Sequence, residues 1–235
     1  MTSTPPEARL PSPREPVITI DGPAGAGKST VARELARWLG FQLVDTGAMY
    51  RALALRVAEV GLDAKEGSAL RALLDETVVE LRNDRVFLNG RDVSEAIRAP
   101  EIGELTSRLT ILASVREKLT PIQRRLAAHG GAVLEGRDTG SVVYPKAELK
   151  FYLDASEEVR ARRRFGELEG RGISRPLTEV REEIARRDRQ DRRRELAPMV
   201  IPEGAVVVDS TNLSINQVVE TMQKEVQRIR CSTRW

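Results

Sequence analysis

The clearest chemistry in the sequence is carried by a glycine-rich stretch, Gly22-Pro23-Ala24-Gly25-Ala26-Gly27-Lys28-Ser29, which is followed by Thr30. It fits the pattern G-x-x-x-x-G-K-[ST] of a phosphate-binding loop (P-loop) at every fixed position. In such a loop, backbone N–H groups and a helix N-terminus point at phosphate oxygens. Lys28 would reach the β- and γ-phosphates of a nucleoside triphosphate, and the Ser29 hydroxyl would bind Mg²⁺. The stretch therefore predicts a nucleoside triphosphate site.

The residues on either side of this stretch favour that interpretation over a simple glycine-rich turn with a surface lysine. Residues 17–20 are a short β-branched run of the type found in buried strands. After the loop, apolar residues recur at helical spacing, and Gly40 offers a C-terminal stop; they are Val31, Leu35, Trp38 and Leu39. Strand, loop and helix is the arrangement that a P-loop requires.

The rest of the chain alternates between short apolar runs and helical patterns. The runs at residues 41–45, 132–134, 149–153 and 205–208 predict four more strands. Together with residues 17–20 they predict an α/β fold, in which a five-stranded parallel sheet is flanked by helices on both faces. Two helices are predicted to begin at capping boxes, Ser114 with Glu117 and Ser214 with Gln217.

One segment interrupts this alternation. Between residues 77 and 93, three short extended runs are separated by Asn83-Asp84 and Asn89-Gly90. Because Asn-Gly between apolar runs is a strong hairpin signal, we expect a small antiparallel sheet here, inserted into the parallel core.

Composition limits the choice of chemistry. Residues 1–16 contain five prolines and few apolar residues, so we expect a disordered leader, with a single domain over 17–235. There is no run of about eighteen apolar residues for a membrane span. Cys231 is the only cysteine and His129 the only histidine, which suits a reducing cytoplasm and a reaction, such as phosphoryl transfer, that needs neither residue.

Positive charge is concentrated in one stretch, although the whole chain carries a formal net charge of only +3. Residues 160–194 hold thirteen arginines, no lysine and seven acidic residues. Part of this stretch is a solvated helix with i,i+4 ion pairs, but arginine's planar fork also suits phosphate. Arg187, Asp191 and Arg194 fall on one helical face. A nucleic-acid-binding surface is the rival interpretation, weakened because Phe165 is the only interleaved aromatic residue.

Four segments of the sequence resemble bacterial cytidylate kinases, and the likeness runs in register from Val17 to about Glu225. They are residues 22–30, 45–51 (DTGAMYR), 135–140 (EGRDTG) and 187–192 (RDRQDR). The resemblance implies a P-loop kinase fold with an inserted nucleoside-monophosphate-binding subdomain around residues 46–116 and an arginine-rich lid near 162–176. It also implies MgATP-dependent phosphorylation of CMP or dCMP in pyrimidine nucleotide metabolism, in the cytoplasm, and we expect a monomer without nucleic-acid or membrane partners.

The resemblance further implies a role for individual residues. The phosphate of CMP would contact Thr46, Arg51, Arg137 and Arg194, beside Tyr50. The cytosine base would be read by Ser107, Arg116 and Asp138, and the ribose by Arg187 and Asp191. ATP would lie on residues 22–30, with Arg163 stacked on the adenine and residues 209–214 at its edge. Lys28, Arg137 and Arg194 are the residues expected to act in catalysis.

Simple chemistry agrees with these roles. A carboxylate such as Asp138 can accept a hydrogen bond from the cytosine amino group. Ser107 and Arg116 are nine residues apart, half a turn out of phase, so they converge on one base only if a helix break separates them, as the Ser114 capping box predicts. Glu135 and Asp138 lie near the end of the third core strand, but the sequence leaves protein ligands of Mg²⁺ beyond Ser29 open.

Other functions stay open on the sequence alone. The same fold could phosphorylate a different acceptor, such as another nucleotide, shikimate or dephospho-coenzyme A. A nucleic-acid-binding NTPase would use the basic stretch and bind less tightly as salt rises. A non-catalytic nucleotide sensor is disfavoured because every expected phosphate contact is present.

Overall fold

The computed structural model describes residues 15–232. In chain order its strands are β1 (Val17–Asp21), β2 (Gln42–Asp45), β3 (Val79–Arg82), β4 (Arg85–Leu88), β5 (Arg91–Asp92), β6 (Ala132–Glu135), β7 (Leu149–Asp154) and β8 (Val206–Asp209). Its α-helices are α1 (Lys28–Leu39), α2 (Thr46–Glu59), α3 (Ser68–Glu76), α4 (Pro100–Leu109), α5 (Ala113–Leu126), α6 (Glu157–Glu169), α7 (Leu177–Arg193) and α8 (Ile215–Ser232). None of these helices is both long and apolar enough to cross a membrane.

The core is a five-stranded parallel sheet in the order β2-β6-β1-β7-β8, which confirms the predicted sheet. One face packs on α1 and α8, through buried side chains such as Ile18, Phe151 and Met222. The other face carries Val17, Val44 and Leu134 against the end of α5. Covering on both faces explains why the strands are nearly continuous apolar runs.

Helix α1 follows the glycine-rich loop as predicted and ends at Gly40, which adopts a left-handed conformation (φ 72°). Val31 and Leu35 are buried on its inner face. Trp38, expected on the same face, is 43% exposed. Trp38 therefore lies outside the buried stripe of α1, which includes Val31 and Leu35.

The predicted insertion is confirmed as an antiparallel sheet in the order β3-β4-β5. Asn83, Asp84, Asn89 and Gly90 all have positive φ, as two-residue hairpin turns require. Side chains from α2 to α5, including Met49, Leu109 and Leu119, form a separate apolar cluster with this sheet. The segment between β2 and β6 therefore has a core of its own.

The predicted break between Ser107 and Arg116 is present, because α4 ends at Leu109 and α5 begins at Ala113. The prediction that α5 begins at a capping box formed by Ser114 and Glu117 is wrong. Ser114 lies inside the helix, and its backbone N–H donates to Glu66 Oε1 at 2.9 Å. A carboxylate from a distant loop thus provides the acceptor that Glu117 was expected to provide. The second capping box is confirmed, since Gln217 and Ser214 exchange hydrogen bonds at the start of α8.

The leader predicted for residues 1–16 lies, up to residue 14, outside the described residues. Glu15 and Pro16 contact the core: the Gly131 N–H is 3.3 Å from the Glu15 carbonyl oxygen and 3.1 Å from that of Pro16. These two residues therefore lead directly into β1.

Candidate active site

A deep cleft of about 1260 Å³ opens at the carboxyl ends of the parallel strands, between the core, the inserted segment and helices α6 and α7. This is where ligands bind in open α/β sheets. Every residue expected at the acceptor nucleotide lines it: Thr46, Tyr50, Arg51, Ser107, Arg116, Arg137, Asp138, Arg187, Asp191 and Arg194. Of the ATP-site residues, Ala24, Gly25, Gly27, Lys28, Ser29 and Thr30 line it as well, whereas Gly22, Pro23, Ala26 and Arg163 do not.

The glycine-rich loop joins β1 to α1 along the floor of the cleft. Gly22 (φ 146°) is required there, since a Cβ atom at this position would lie 2.0 Å from the carbonyl oxygen of Leu153 in β7. No side chain in the described part of the chain caps α1, whose N-cap residue is Gly27. The first N–H groups of α1 are thus available to an anion, as in phosphate-binding loops.

Lys28 is folded back onto this loop. Its Nζ donates to the Pro23 carbonyl oxygen at 2.7 Å, and only 5% of the residue is exposed. Burial, reinforced by the nearby Arg137 guanidinium, lowers the pKa of Lys28 to about 7. An anionic phosphate beside Nζ would favour the charged form.

Glu135, at the end of β6, is a site residue to which the sequence analysis gave no role. Its Oε1 accepts from the Ser29 hydroxyl at 2.7 Å. Burial raises the pKa of Glu135, but Lys28 and the Ser29 hydroxyl outweigh it, so the pKa is lowered overall. Asp45, at the end of β2, has its pKa raised to about 7 by burial and by Glu135. The pair therefore combines an ionised Glu135 with a more readily protonated Asp45.

Cationic side chains converge on the acceptor side of the cleft. Arg137 donates from Nε to Asp191 Oδ2 at 3.1 Å, and Arg194 also pairs with Asp191. Burial and the neighbouring Arg137 lower the pKa of Arg187 to about 10. The Nε atoms of Arg187 and Arg194 are buried without a hydrogen-bond partner among residues 15–232. Such unsatisfied cationic donors fit an anionic ligand.

A further buried ion pair, between Arg116 of α5 and Asp138, also lines the cleft, and each side chain is 9% exposed. Burial raises the pKa of Asp138, while the Arg116 guanidinium in contact with it opposes that shift. The Tyr50 ring lies 6.0 Å from this guanidinium, and burial raises the pKa of Tyr50 to about 12. Ser107 lies in the same wall, where its carbonyl oxygen accepts from Gln190 of α7 at 2.9 Å.

With this geometry in view, comparison with known proteins decides the family. The sequence model of the cytidylate kinase family matches residues 18–228. The chain belongs to the cytidylate kinase family, a family of nucleoside monophosphate kinases. It is 45% identical to the cytidylate kinase of Caldanaerobacter subterraneus subsp. tengcongensis, over 90% of this chain and 94% of that protein. It is also 44% identical to that of Symbiobacterium thermophilum, over 92% of this chain and 97% of the relative.

Among solved structures, this cytidylate kinase family member aligns with shikimate kinase from Acinetobacter baumannii, with a TM-score of 0.48 and 14% identity. The alignment covers 91% of this chain and 94% of the other. A likeness at this level carries no information about the acceptor.

Asp21, at the end of β1, was also missed by the sequence analysis. Its carboxylate accepts from the Thr139 N–H at 2.8 Å, the Thr139 hydroxyl at 2.8 Å and the Gly140 N–H at 2.7 Å. Burial raises its pKa to about 6. Asp21 thereby fixes the turn Thr139–Val143 that directly follows Asp138 in this kinase family member.

Arg163 contacts the outer side of the P-loop. Its guanidinium donates to the Ser210 hydroxyl at 2.9 Å, the Ser210 carbonyl oxygen at 2.7 Å and, more weakly, the Ala26 carbonyl oxygen at 3.4 Å. Arg163 thus joins α6 to the loop after β8, the segment that the sequence analysis placed beside the adenine.

Proposed function

We propose that this protein transfers the γ-phosphoryl group of ATP to CMP or dCMP, forming ADP and CDP or dCDP. One observation carries the proposal. A single cleft contains a P-loop, a cluster of arginines with unsatisfied donors and a buried Arg116–Asp138 pair. The P-loop suits a triphosphate, and the arginine cluster suits a monophosphate. The Arg116–Asp138 pair suits a base that has both hydrogen-bond donors and acceptors on its edge. Membership of the cytidylate kinase family supports the same acceptor.

On the donor side, the loop of residues 22–30 would bind the phosphates of ATP through backbone N–H groups. Lys28 would release the Pro23 carbonyl oxygen and bind the β- and γ-phosphates instead. Its charge would then stabilise the phosphoryl group during transfer. Arg163, held beside Ser210, would lie at the adenine.

The residues present fit Mg²⁺. The Ser29 hydroxyl and the Glu135 carboxylate are hard oxygen donors 2.7 Å apart at the end of the P-loop. Among the described residues no group of three or more His, Cys, Asp and Glu side chains could hold a metal ion. A site with few protein ligands suits Mg²⁺, which commonly keeps waters and binds substrate phosphates. When bound, Mg²⁺ would neutralise charge on the phosphates, with Ser29 and Glu135 holding it.

On the acceptor side, the phosphate of CMP would contact Thr46, Arg51, Arg137 and Arg194. Arg187 and Asp191 would bind the ribose, and Ser107, Arg116 and Asp138 the base, with Tyr50 lining the site. An acceptor phosphate is already an anionic nucleophile, so the reaction requires no general base. The catalytic contribution of this chain is then positioning and charge neutralisation by Lys28, Arg137 and Arg194.

We also propose that residues 162–176, the end of α6 and the loop to α7, act as a lid over the two substrates. Closure would exclude water and so suppress hydrolysis of ATP. Because one chain supplies all the residues of the cleft, a monomer is sufficient for activity. The single cysteine supports a cytoplasmic location.

The direct test is a coupled assay of ADP formation with ATP and a panel of acceptors: CMP, dCMP, UMP, AMP, GMP, shikimate and dephospho-coenzyme A. We expect CMP and dCMP to give the highest kcat/KM. Turnover that is faster with another acceptor would reject the proposal. ATPase activity that depends on added RNA or DNA and decreases steeply with salt would support a nucleic-acid-binding NTPase instead.

A further inference from the structure

One more buried ion pair lies beside the P-loop, outside the lining of the cleft. Arg160 of α6 and Asp188 of α7 are 2.5 Å apart, and their side chains are only 6% and 4% exposed. Burying two charges is expensive, and such a pair is commonly no more stable than well-packed apolar residues. Stability alone therefore does not explain why these two charges lie here.

Both members of the pair bind the same residue of the P-loop. Asp188 Oδ1 accepts from the Ala24 N–H at 3.2 Å, and Arg160 Nη1 donates to the Ala24 carbonyl oxygen at 3.0 Å. Arg160 also donates from Nε to the Ala155 carbonyl oxygen at 2.9 Å, just before α6. A Cβ atom on Gly25 would lie 2.8 Å from the Arg160 carbonyl oxygen, so the loop rests directly on α6.

The same pair is joined to the acceptor side through α7. Asp188 directly follows Arg187 and lies one turn before Asp191, the two residues proposed to bind the ribose of CMP. A rigid helix turn therefore separates the contacts to the acceptor nucleotide from the contact to Ala24. A ligand that fixes this part of α7 also fixes the carboxylate that binds the P-loop.

We propose that the Arg160–Asp188 pair is a latch that couples the binding of CMP to the binding of ATP, with both members acting as positioning residues. This inference rests on the proposed function. CMP bound to Arg187 and Asp191 would stabilise the present position of α7, in which Asp188 already holds the Ala24 peptide of the P-loop. ATP binds more tightly to a loop that is already ordered. By thermodynamic linkage, ATP must tighten CMP binding by the same factor.

The test is isothermal titration calorimetry with a non-hydrolysable ATP analogue and Mg²⁺, in the absence and presence of saturating CMP. In the wild-type protein we expect CMP to lower the Kd of the analogue by at least about fivefold. Asp188→Asn keeps a carbonyl oxygen for the Ala24 N–H but removes the charge that binds Arg160. We expect this variant to bind CMP alone nearly normally and to lose the fivefold effect.

The matched control breaks another ion pair between the same two helices. Arg181→Ala removes the exposed contact of Arg181 with Glu157, which measures 2.8 Å and does not touch the P-loop. It should retain the full coupling. If Asp188→Asn fails to fold, Arg160→Lys replaces it, since lysine can pair with Asp188 but cannot also bind both the Ala24 and Ala155 carbonyl oxygens.

The latch would be overturned if CMP lowered the Kd of the analogue in Asp188→Asn as much as in the wild-type protein. The same result in Arg160→Lys, where that variant replaces Asp188→Asn, would also overturn it. An equal loss of coupling in Arg181→Ala would overturn it as well. If CMP binds the wild-type protein without changing the Kd of the analogue, the latch is wrong and the proposed function is not. If CMP does not bind at all, both the proposed function and the latch are wrong.

Discussion

Lys28 holds a buried ammonium group whose only protein acceptor in the described residues is the Pro23 carbonyl oxygen. In this environment its pKa falls from an ordinary 10.5 to about 7, through burial and then through Arg137. Charging Lys28 in the free protein is thus unfavourable for folding, whereas a phosphate bound beside it would favour the charged form. Function and stability are opposed at this residue.

Lys28→Met should therefore lose activity and gain stability. We expect kcat to fall at least about a thousandfold, because charge stabilisation at the transferring phosphoryl group is lost. The affinity for CMP should change little. Steady-state kinetics of the purified, folded variant measure kcat, and titration with CMP measures the affinity. Near-normal turnover would contradict the role assigned to the loop.

The stability difference should depend on pH in a defined window. Between pH 7 and 10.5 the unfolded chain keeps the Lys28 proton and the native protein releases it, so the unfolded state binds more protons. The free energy of unfolding of the wild-type protein should therefore rise with pH relative to Lys28→Met in this window, and level off outside it. Urea unfolding of both proteins at pH 6, 8 and 10 measures the difference. A difference independent of pH would show that Lys28 keeps an ordinary pKa.

At the scale of elements, the sequence predicted what is local and missed what depends on distant partners. The order β1, loop, α1 follows from adjacent residues and is confirmed. The start of α5 was misplaced because its acceptor, Glu66, is 48 residues away from Ser114. Glu135 was left without a role for the same reason: its meeting with Ser29 depends on the pairing of β1 with β6, which no local pattern specifies.

Two substitutions distinguish the observed cap on α5, in which Glu66 accepts from the Ser114 N–H, from the predicted capping box with Glu117. Glu66→Ala should lower the free energy of unfolding by about 0.5–1 kcal/mol, since the Ser114 N–H loses its acceptor. Glu117→Ala, which removes the acidic member of the predicted capping box, should have an effect within about 0.5 kcal/mol. Hydrogen bonding by Ser114 holds the pKa of Glu66 below its usual 4.5. The effect of Glu66→Ala should therefore be present above pH 4.5 and fade as the pH falls further.

Chemical denaturation of the two variants at pH 7 and pH 3 measures these effects. A larger loss for Glu117→Ala than for Glu66→Ala would restore the capping box.

At the scale of the whole molecule, Glu15 and Pro16 attach the chain to the core just before β1. The Gly131 N–H has the carbonyl oxygens of Glu15 and Pro16 as acceptors. A chain that begins at Glu15 should keep the Tm and kcat of the full chain, as the composition of the preceding residues predicts. A chain that begins at Val17 should lose about 0.5–1.5 kcal/mol in the free energy of unfolding, or roughly 1–6 °C in Tm.

Differential scanning calorimetry of the two shortened chains beside the full chain makes this comparison. A drop of several degrees for the chain that begins at Glu15 would show that the preceding segment packs on the core.

The cleft lies between the parallel core and the inserted segment, and under the proposed function its specificity for cytosine depends on the Arg116–Asp138 pair. An ionised Asp138 accepts from the amino group of cytosine and faces the carbonyl oxygen of uracil unfavourably. Arg116, freed from its partner, could donate to that uracil oxygen. Removing Asp138 should therefore cost roughly 1–3 kcal/mol of transition-state stabilisation with CMP. The cost with UMP should be much smaller, because the repulsive group is removed as well.

The most direct test of the account is the ratio of kcat/KM for CMP to that for UMP, measured for the wild-type protein, Asp138→Ala and Arg137→Ala. We predict that Asp138→Ala lowers this ratio by at least about tenfold, since 1.4 kcal/mol corresponds to tenfold. Arg137→Ala, at the residue proposed to contact the phosphate, should lower kcat/KM for both substrates alike and leave the ratio nearly unchanged. An equal loss for CMP and UMP in Asp138→Ala would contradict the account, because Asp138 would then not read the base.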